Sequence, residues 1–279
     1  MDAIHDFIAD SLGVDKTSLS VQLGLYYSLL SLGGVGFYFL FAGLSYYYWF
    51  VYNKPRTYPA SGLTKDPAKL RAQIMDEIRI ALTNIPLMAV LMLPLALGAH
   101  RGHSQLYKSV DDHGWAYLFF SIPLMFAFSD FCIYWIHRGL HHPLLYRRIH
   151  KPHHTYMYTT PFSSHAFHFV DGFLQGCPYY IFVYIFPFHR FLFLGMFLTV
   201  NFWTISIHDE VDFGPVLQLP GGRVGDYLIN TTGHHTVHHV QFNYNYGQYF
   251  TIWDRLCGTY RAAEQTHDWV SGKRVMGRS

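Results

Sequence analysis

A run without any charged side chain extends from Leu23 to Val51, and it constrains the fold more than any other feature. A helix of about 20 apolar residues crosses the hydrocarbon core of a bilayer, so this run is long enough to span a membrane. The run ends near residues 46–49, which are all aromatic, as is common at membrane interfaces. Charged residues make up only 14% of the chain, against about 25% in soluble proteins. These features predict an integral membrane protein.

Further apolar segments follow, and we expect four or five crossings in total. Ile80–Ala99 and Trp115–Ile136 are the second and third predicted spans. The polar segment 53–79 is rich in lysine and arginine, so we expect it to be cytoplasmic. The last apolar stretch, Pro178–Ile207, is interrupted at Pro187–Arg190 and is shorter than the roughly 40 residues that two crossings need. We therefore expect a re-entrant or shallow helical hairpin that returns to its starting side.

Charge and cysteine content exclude several classes of function. The net charge of +2 is too small to indicate a nucleic-acid partner. The three cysteines, Cys132, Cys177 and Cys257, are far apart and form no CxxC pair. Their number and spacing argue against a disulfide framework and against a thiolate zinc site.

Histidines are the second unusual feature, because twelve of the 19 fall within residues 137–168 and 234–239. Eight of them form three boxes with the spacings H-x3-H, H-x2-H-H and H-x2-H-H: His137 and His141; His150, His153 and His154; His235, His238 and His239. Residues at positions i, i+3 and i+4 lie on one face of a helix, so each box is expected to present its imidazoles to a common region.

Metal binding is the function that this clustering favours. Neutral imidazoles packed together without a metal would leave polar nitrogens unsatisfied, and protonated imidazoles would repel one another. Eight or nine imidazoles are more than one ion needs, so the boxes predict two ions. Imidazole binds iron, zinc, copper and nickel, so the spacing alone does not identify the metal.

Asp130 is an acid within the third predicted span, two helical turns before His137. An acidic side chain in a span is costly unless it faces the protein interior. It is expected either to orient a metal ligand or to accept hydrogen bonds in the interior, and both alternatives stay open.

The order of the boxes and the sequence around them resemble the fatty-acid hydroxylase/sterol desaturase superfamily, and within it the C-5 sterol desaturase family. The resemblance covers residues 80–260, and its segment NYNYGQ (residues 243–248) is typical of this branch. The matching stretches are DFCIYWIHRGLHH (Asp130–His142), HKPHH (His150–His154), TPFSSHAFHFVDG (Thr160–Gly172), WTISIHD (Trp203–Asp209) and HTVHHVQFNYNYGQYFTIWDRLCGTY (His235–Tyr260).

The resemblance implies specific site residues. It implies metal ligands at His137, His141, His150, His153, His154, His208, His235, His238 and His239. It also suggests roles in supporting the ligands or facing the substrate for Asp130, His142, His165, His168 and His234. In hydroxylase relatives a further ligand follows four residues after the position of His208, which is Asp212 here. Whether Asp212 or His234 binds metal stays open.

The activity that the resemblance implies is O2-dependent desaturation by a non-haem di-iron enzyme. Two irons and O2 as co-substrate would introduce the C-5(6) double bond into a Δ7-sterol. Electrons would come from NAD(P)H through cytochrome b5 and its reductase, and the absence of a GxGxxG motif agrees with an external donor. The family further implies the endoplasmic reticulum membrane, with the histidine boxes facing the cytosol.

Two other functions stay open. Sterol C-4 methyl oxidation, or hydroxylation of a lipid or terpenoid, would use the same di-iron core, and the ligand spacing does not separate these reactions from desaturation. A membrane metal transporter is the alternative that is not an enzyme. A transporter should have ionisable ligands within its spans, whereas these boxes lie at a span exit and in polar segments.

The predicted architecture is all-α, with helical transmembrane hairpins capped by a cytosolic, histidine-rich helical di-metal domain. Four segments are expected: a polar N-terminal segment (1–22), the first span with a basic cytosolic loop (23–79), a sterol desaturase/fatty-acid hydroxylase-like catalytic domain (80–260) and a polar C-terminal tail (261–279).

Overall fold

The computed structural model of the protein describes residues 2–52, 66–156, 159–209 and 227–262. The α-helices, in chain order, are α1 (Asp2–Leu12), α2 (Leu19–Tyr46), α3 (Pro67–His100), α4 (Gly114–Leu140), α5 (Pro143–Leu145), α6 (Phe169–Ile185), α7 (Arg190–Ser206), α8 (Thr232–Gln241) and α9 (Ile252–Leu256). Two strands of two residues, β1 (Leu106–Tyr107) and β2 (Phe188–His189), pair in parallel. Helical turns of other types cover Tyr47–Tyr52, Val110–Asp112, Tyr146–His150, His153–Thr155 and Pro161–His165.

Three helical segments in the described residues are long and apolar enough to cross a membrane. They are Leu19–Tyr52, which joins α2 to the π-helical turn after it, and the helices α3 and α4. Many of their large apolar side chains, such as Leu32 and Phe119, are exposed, as lipid-facing positions would be. The prediction of an all-α, multi-pass membrane protein is confirmed, whereas the four-segment division stays a prediction.

Helix α3 begins earlier than the sequence predicted. The side chain of Asp66 accepts hydrogen bonds from the backbone N–H groups of Ala68 and Lys69, and Pro67 occupies the first helical position. An aspartate cap followed by proline is a strong helix start. Residues 67–79, expected as part of a polar loop, are therefore helical.

The hairpin of α6 and α7 reaches the end of the bundle where α4 begins. Its turn contains β2, which pairs with β1 in the connection between α3 and α4. Gln105 in that connection donates its N–H to the carbonyl of Val183 at 2.7 Å and accepts from the N–H of Phe188 at 3.1 Å. The interpretation of the hairpin as shallow is therefore wrong.

The reason lies in where the first helix of the hairpin begins. The apolar run was counted from Pro178, but α6 begins at Phe169 and carries Pro178 in its interior. Each helix of the hairpin has 17 residues, which is about 26 Å of helix. The expected return to the starting side is confirmed, since His153 and His208, before and after the hairpin, lie together.

Close packing of α2 on α3 supports the functional end of the bundle. Ala42 of α2 and Ala81 of α3 are fully buried and allow the two helices to approach closely. Tyr38 of α2 donates its hydroxyl hydrogen to the carbonyl of Phe162 at 2.9 Å. This bond fixes the segment after the second histidine box to the membrane helices.

Candidate metal centre

All nine histidines predicted as ligands come together at the end of the bundle where α4 ends. Within each of two groups, the candidate ligand nitrogens lie within 4.8 Å of one another, and every residue except the half-buried His141 is buried. The first group is His137, His141, His150, His154 and His238; the second group is His153, His208, His235 and His239.

Five parts of the chain supply these side chains: the end of α4, the π-helical turn Tyr146–His150, the 3-10 turn His153–Thr155, the segment directly after α7, and α8. Helix α4 carries His137 in its last turn, and His141 follows at its end. The third box lies on α8, as its helical spacing predicted. The second box contains no α-helix, because His153 and His154 lie in the 3-10 turn His153–Thr155, which follows Pro152. The groups therefore form where ends of helices meet.

Each H-x2-H-H box is divided between the two groups. His153 of the second box belongs to the second group, whereas His150 and His154 belong to the first. In the third box, His238 belongs to the first group and the other two histidines to the second. The expectation that each box serves one common region is wrong. On a helix, consecutive residues point about 100° apart, so adjacent histidines face different centres.

Hydrogen bonds fix the orientation of four of the rings. In each case Nδ1–H donates to an oxygen that can only accept, which leaves the lone pair of Nε2 for the centre. The pairs are His137 with the carbonyl of Tyr246 (3.0 Å), His150 with the carboxylate of Asp171 (2.6 Å), His208 with the carbonyl of Thr204 (2.6 Å) and His238 with the carbonyl of Tyr244 (2.7 Å).

The inward-facing nitrogens are arranged as cation ligands. The Nε2 atoms of His137 and His150 are 3.1 Å apart, and those of His208 and His235 are 3.0 Å apart. In both histidines of the first pair Nδ1 carries the hydrogen, so their Nε2 lone pairs face one another and repel unless a cation binds both. In the second pair, Nε2 of His208 likewise presents its lone pair to His235. The buried Nε2 atoms of His141 and His238 have no hydrogen-bond partner within the described residues. Two groups of five and four imidazoles therefore fit two metal ions that accept nitrogen ligands.

The environment keeps the imidazoles of the second group neutral. Burial, together with the neighbouring imidazoles, holds the pKa values of His153, His235 and His239 well below the usual histidine value. Burial likewise lowers the pKa of His208 to about 4. Neutral imidazole is the form that binds metal, so these sites are ready for metal at physiological pH.

Asp130 fixes a loop beside the first group. Its Oδ1 atom accepts backbone N–H hydrogen bonds from Gln248 at 3.1 Å, Tyr249 at 2.7 Å and Phe250 at 3.4 Å. The same loop contains Tyr246, whose carbonyl orients His137. Of the two alternatives for Asp130, the structure shows interior hydrogen bonding. Asp130 contacts no ligand histidine itself and is linked to His137 only through this loop.

Three other predicted residues lie at the starts of helices, His142 and His168 as N-caps and His234 in the first turn of α8, and belong to neither histidine group. Each accepts a hydrogen bond from a backbone N–H near the start of a helix: His142 from Leu144 at α5, His168 from Val170 at α6 and His234 from Thr231 at α8. Asp212, whose role was left open, lies outside the described residues.

An apolar cavity leads to the histidines. It lies between α2, α3, α6 and α7, and its lining on α7 extends from Phe193 to Thr204, about 17 Å of helix. Four of the predicted ligands line it: His137, His153, His208 and His235. His165 also faces this cavity, so the structure is compatible with a role for it near a substrate. A long apolar molecule could therefore reach both histidine groups.

The sequence reasoning did not assign a role to Asp171, which is fully buried against His150. The argument applied to Asp130 could have found it, since Asp171 is also an acid bordering an apolar helix. The carbonyls of Thr204, Tyr244 and Tyr246 have no sequence signal, because every residue carries a carbonyl.

Comparison with known proteins identifies the family. The family model described as "Fatty acid hydroxylase" matches residues 122–259. Lathosterol oxidase of Mus musculus is 46% identical over 233 residues, which cover 83% of this chain and 73% of the relative. The Delta(7)-sterol 5(6)-desaturase erg32 of Schizosaccharomyces pombe is 40% identical over 252 residues, covering 90% of this chain and 71% of the relative.

Lathosterol oxidase of Homo sapiens is 44% identical over 239 residues, covering 84% of this chain and 75% of the relative. No solved structure matches the chain. These names describe oxidases and desaturases and give no support to the transporter alternative. The chain therefore belongs to the fatty acid hydroxylase family, alongside lathosterol oxidase and the Delta(7)-sterol 5(6)-desaturases, and is a membrane oxidoreductase.

Proposed function

We propose that this protein is an O2-dependent, non-haem di-iron desaturase that introduces the C-5(6) double bond into a Δ7-sterol. The observation that carries the proposal is the pair of all-histidine groups lining an apolar cavity. The relatives named lathosterol oxidase and Delta(7)-sterol 5(6)-desaturase support the choice of substrate and bond.

The chemistry divides between the metal and the chain. Two iron ions held by the nine histidines would supply the redox chemistry that reduces O2 and removes hydrogen from an unactivated C–H bond. The chain keeps the imidazoles neutral, fixes ring orientation through the Nδ1–H bonds, and excludes water from a mostly apolar cavity. Overall, the sterol, O2, two electrons and two protons give the desaturated sterol and two molecules of water.

We further propose that the electrons come from NAD(P)H through cytochrome b5 and its reductase. The sequence contains no GxGxxG dinucleotide motif, which favours an external donor. Arg147, Arg148 and Lys151 are exposed on either side of His150. This basic surface beside the first histidine group suits an acidic electron carrier, because complementary charge promotes docking.

The test of the proposed function is expression in cells that lack sterol C-5 desaturation, followed by mass spectrometry of the sterols. We expect a Δ7-sterol to be converted into a product that has lost two hydrogens between C5 and C6. A product that has gained oxygen at C-4 or elsewhere would support C-4 methyl oxidation or hydroxylation instead.

Purified active protein is expected to contain about two irons per chain, since the histidines form two groups. Removing the metal with a chelator should abolish activity, and adding ferrous iron should restore it. Elemental analysis alongside the activity assay checks both points. Full activity with zinc as the only metal would contradict the di-iron proposal.

We propose that the protein lies in the endoplasmic reticulum membrane with the histidine groups facing the cytosol. The orientation is inferred from the basic segment before α3, because basic segments beside membrane spans are mostly cytoplasmic. In sealed microsomes, a tag after Ser279 should be digested by added protease. A tag before Met1 should be protected, because His5 of α1 packs on His100 at the end of α3 remote from the histidine groups. The reverse pattern would show that the orientation is inverted.

A further inference from the structure

The cavity lining contains polar side chains besides the four ligand histidines. Beyond the four ligand histidines, most of the lining is apolar or aromatic, with residues such as Leu30, Met88 and Phe197. The remaining lining residues that carry a hydroxyl, amide or imidazole group are Ser164, His165, Gln175, Tyr179, Asn201, Thr204, Tyr180 and Gln248. A ligand hydroxyl would have to find its partner among them, because an unpaired buried hydroxyl is costly.

Several of these polar groups already bond within the protein. Asn201 donates to the carbonyl of Phe197 and contacts His165 through its amide oxygen. The hydroxyl of Ser164 donates to the carbonyl of Pro161. The hydroxyls of Tyr179 and Tyr249 bond to each other. A polar group of the lining that has no partner inside the protein must therefore be sought among the other lining residues.

Three polar groups in the lining have no hydrogen-bond partner within the described residues: the hydroxyl of Tyr180 and the amide oxygens of Gln175 and Gln248. Tyr180 packs with Tyr26, which contacts His100 at the end of α3 remote from the histidine groups. The two glutamine oxygens are therefore the acceptors left for a hydroxyl near the histidines.

Gln175 donates an Nε2–H to Oδ1 of Asp171 at 2.7 Å. Gln248 donates an Nε2–H to the hydroxyl of Thr204 at 3.0 Å. A carboxylate can only accept, so the amide nitrogen of Gln175 must face Asp171 and its oxygen must point away.

Gln175 is the better acceptor of the two. Its amide nitrogen bonds a fully buried carboxylate, and a charged acceptor gives a stronger hydrogen bond than a neutral hydroxyl does. Such a bond polarises the amide and strengthens acceptance at its oxygen. The other oxygen of Asp171 holds His150 at 2.6 Å, so Gln175 is two hydrogen bonds from a proposed metal ligand.

The geometry of a sterol requires a hydrogen-bonding partner for its 3-hydroxyl near the histidine groups. The hydroxyl at C3 is separated from C5 only by C3 and C4, whereas the side chain is at the opposite end of the ring system. When C5 and C6 lie beside the histidine groups, the hydroxyl must also lie close to them and the side chain must extend into the apolar part.

We propose that the amide oxygen of Gln175 accepts a hydrogen bond from the 3-hydroxyl of the sterol and thereby places C5 and C6 beside the histidine groups. This inference rests on the proposed function. Gln175 acts as a specificity-determining residue, and Asp171 links the bound hydroxyl to the ring of His150.

The test compares a Δ7-sterol with its 3-deoxy analogue, cholest-7-ene, in the wild type and in Gln175→Met. Both the equilibrium dissociation constant and kcat/KM are measured for each compound. The wild type should prefer the hydroxylated compound by roughly 10-fold or more, as expected for a buried hydrogen bond. The Gln175→Met variant should lose most of that preference, since methionine fills a similar volume without an acceptor.

Two further glutamine variants serve as comparisons. Gln22→Leu removes a buried amide of α2 that pairs with Arg101, away from the cavity, and should keep the wild-type preference. Gln248→Leu should retain most of the wild-type preference for the hydroxylated sterol. Loss of the preference in Gln248→Leu but not in Gln175→Met would overturn the assignment.

Failure of this inference is distinguishable from failure of the proposed function. A wild-type enzyme that desaturates both compounds equally well would refute hydroxyl recognition whether or not the variant folds. A wild-type enzyme that neither binds nor desaturates any sterol would refute the proposed function.

Discussion

Replacing His153 by alanine is expected to abolish sterol desaturation while the protein still inserts into the membrane. His153 is one of only four histidines in the second group, so its loss leaves three. Loss of a residue that only orients a metal ligand costs 10- to 100-fold, so loss of a ligand should reduce turnover by more than about 100-fold. Desaturated sterol is measured in membranes that contain equal amounts of protein.

The His153→Ala protein should fold because this side chain is not part of the helical framework. It lies in a short 3-10 turn, and its Nδ1 atom has no hydrogen-bond partner within the described residues. The matched control is His142→Ser, which changes an exposed histidine beside His141 and keeps a side-chain acceptor for the helix start. Turnover by His153→Ala within tenfold of the control would contradict the ligand assignment.

Replacing Asp171 by asparagine is expected to lower iron affinity and turnover by about 10- to 100-fold, the usual cost of losing the partner of a ligating histidine. Asp171 accepts from two donors, Nδ1–H of His150 and Nε2–H of Gln175. Asparagine has one acceptor oxygen, so one of the two donors would face an amide N–H instead. The ring of His150 would then lose either its charged partner or its fixed orientation.

Iron retained during titration with a chelator measures this effect separately from turnover. Excess ferrous iron should restore much of the activity of Asp171→Asn, because its ligands are all still present. The control is Asp111→Asn, which makes the same exchange at an exposed position before α4. Normal iron retention together with reduced turnover would show that Asp171 does not act through His150.

The ligand residues could be predicted from the sequence because their signal is chemical and local. Histidines at helical spacing, as in the third box, indicate metal binding from the sequence alone. His208 was predicted as a ligand only from the family resemblance. The division of His153 and His154 between two groups could not be predicted, because it depends on the 3-10 turn His153–Thr155 that follows Pro152. Backbone carbonyls that orient the rings carry no residue signature at all.

The limits of the membrane helices were harder to predict than their existence. Hydropathy locates an apolar run, but helix starts depend on caps such as Asp66, which precedes the apolar part of α3. The last apolar run was counted from Pro178. In α6 this proline lies inside the helix, so the hairpin extends further than the apolar run indicated.

The division of each box between the two groups has a consequence for the rigidity of the centre. His153 and His154 are consecutive, as are His238 and His239, and consecutive Cα atoms are about 3.8 Å apart. Peptide bonds thus tie one group to the other at two places. Thermal motion of the lipid-embedded helices can tilt or shift this pair of sites as one body, but it cannot readily pull them apart, so their separation is buffered against changes in bilayer thickness.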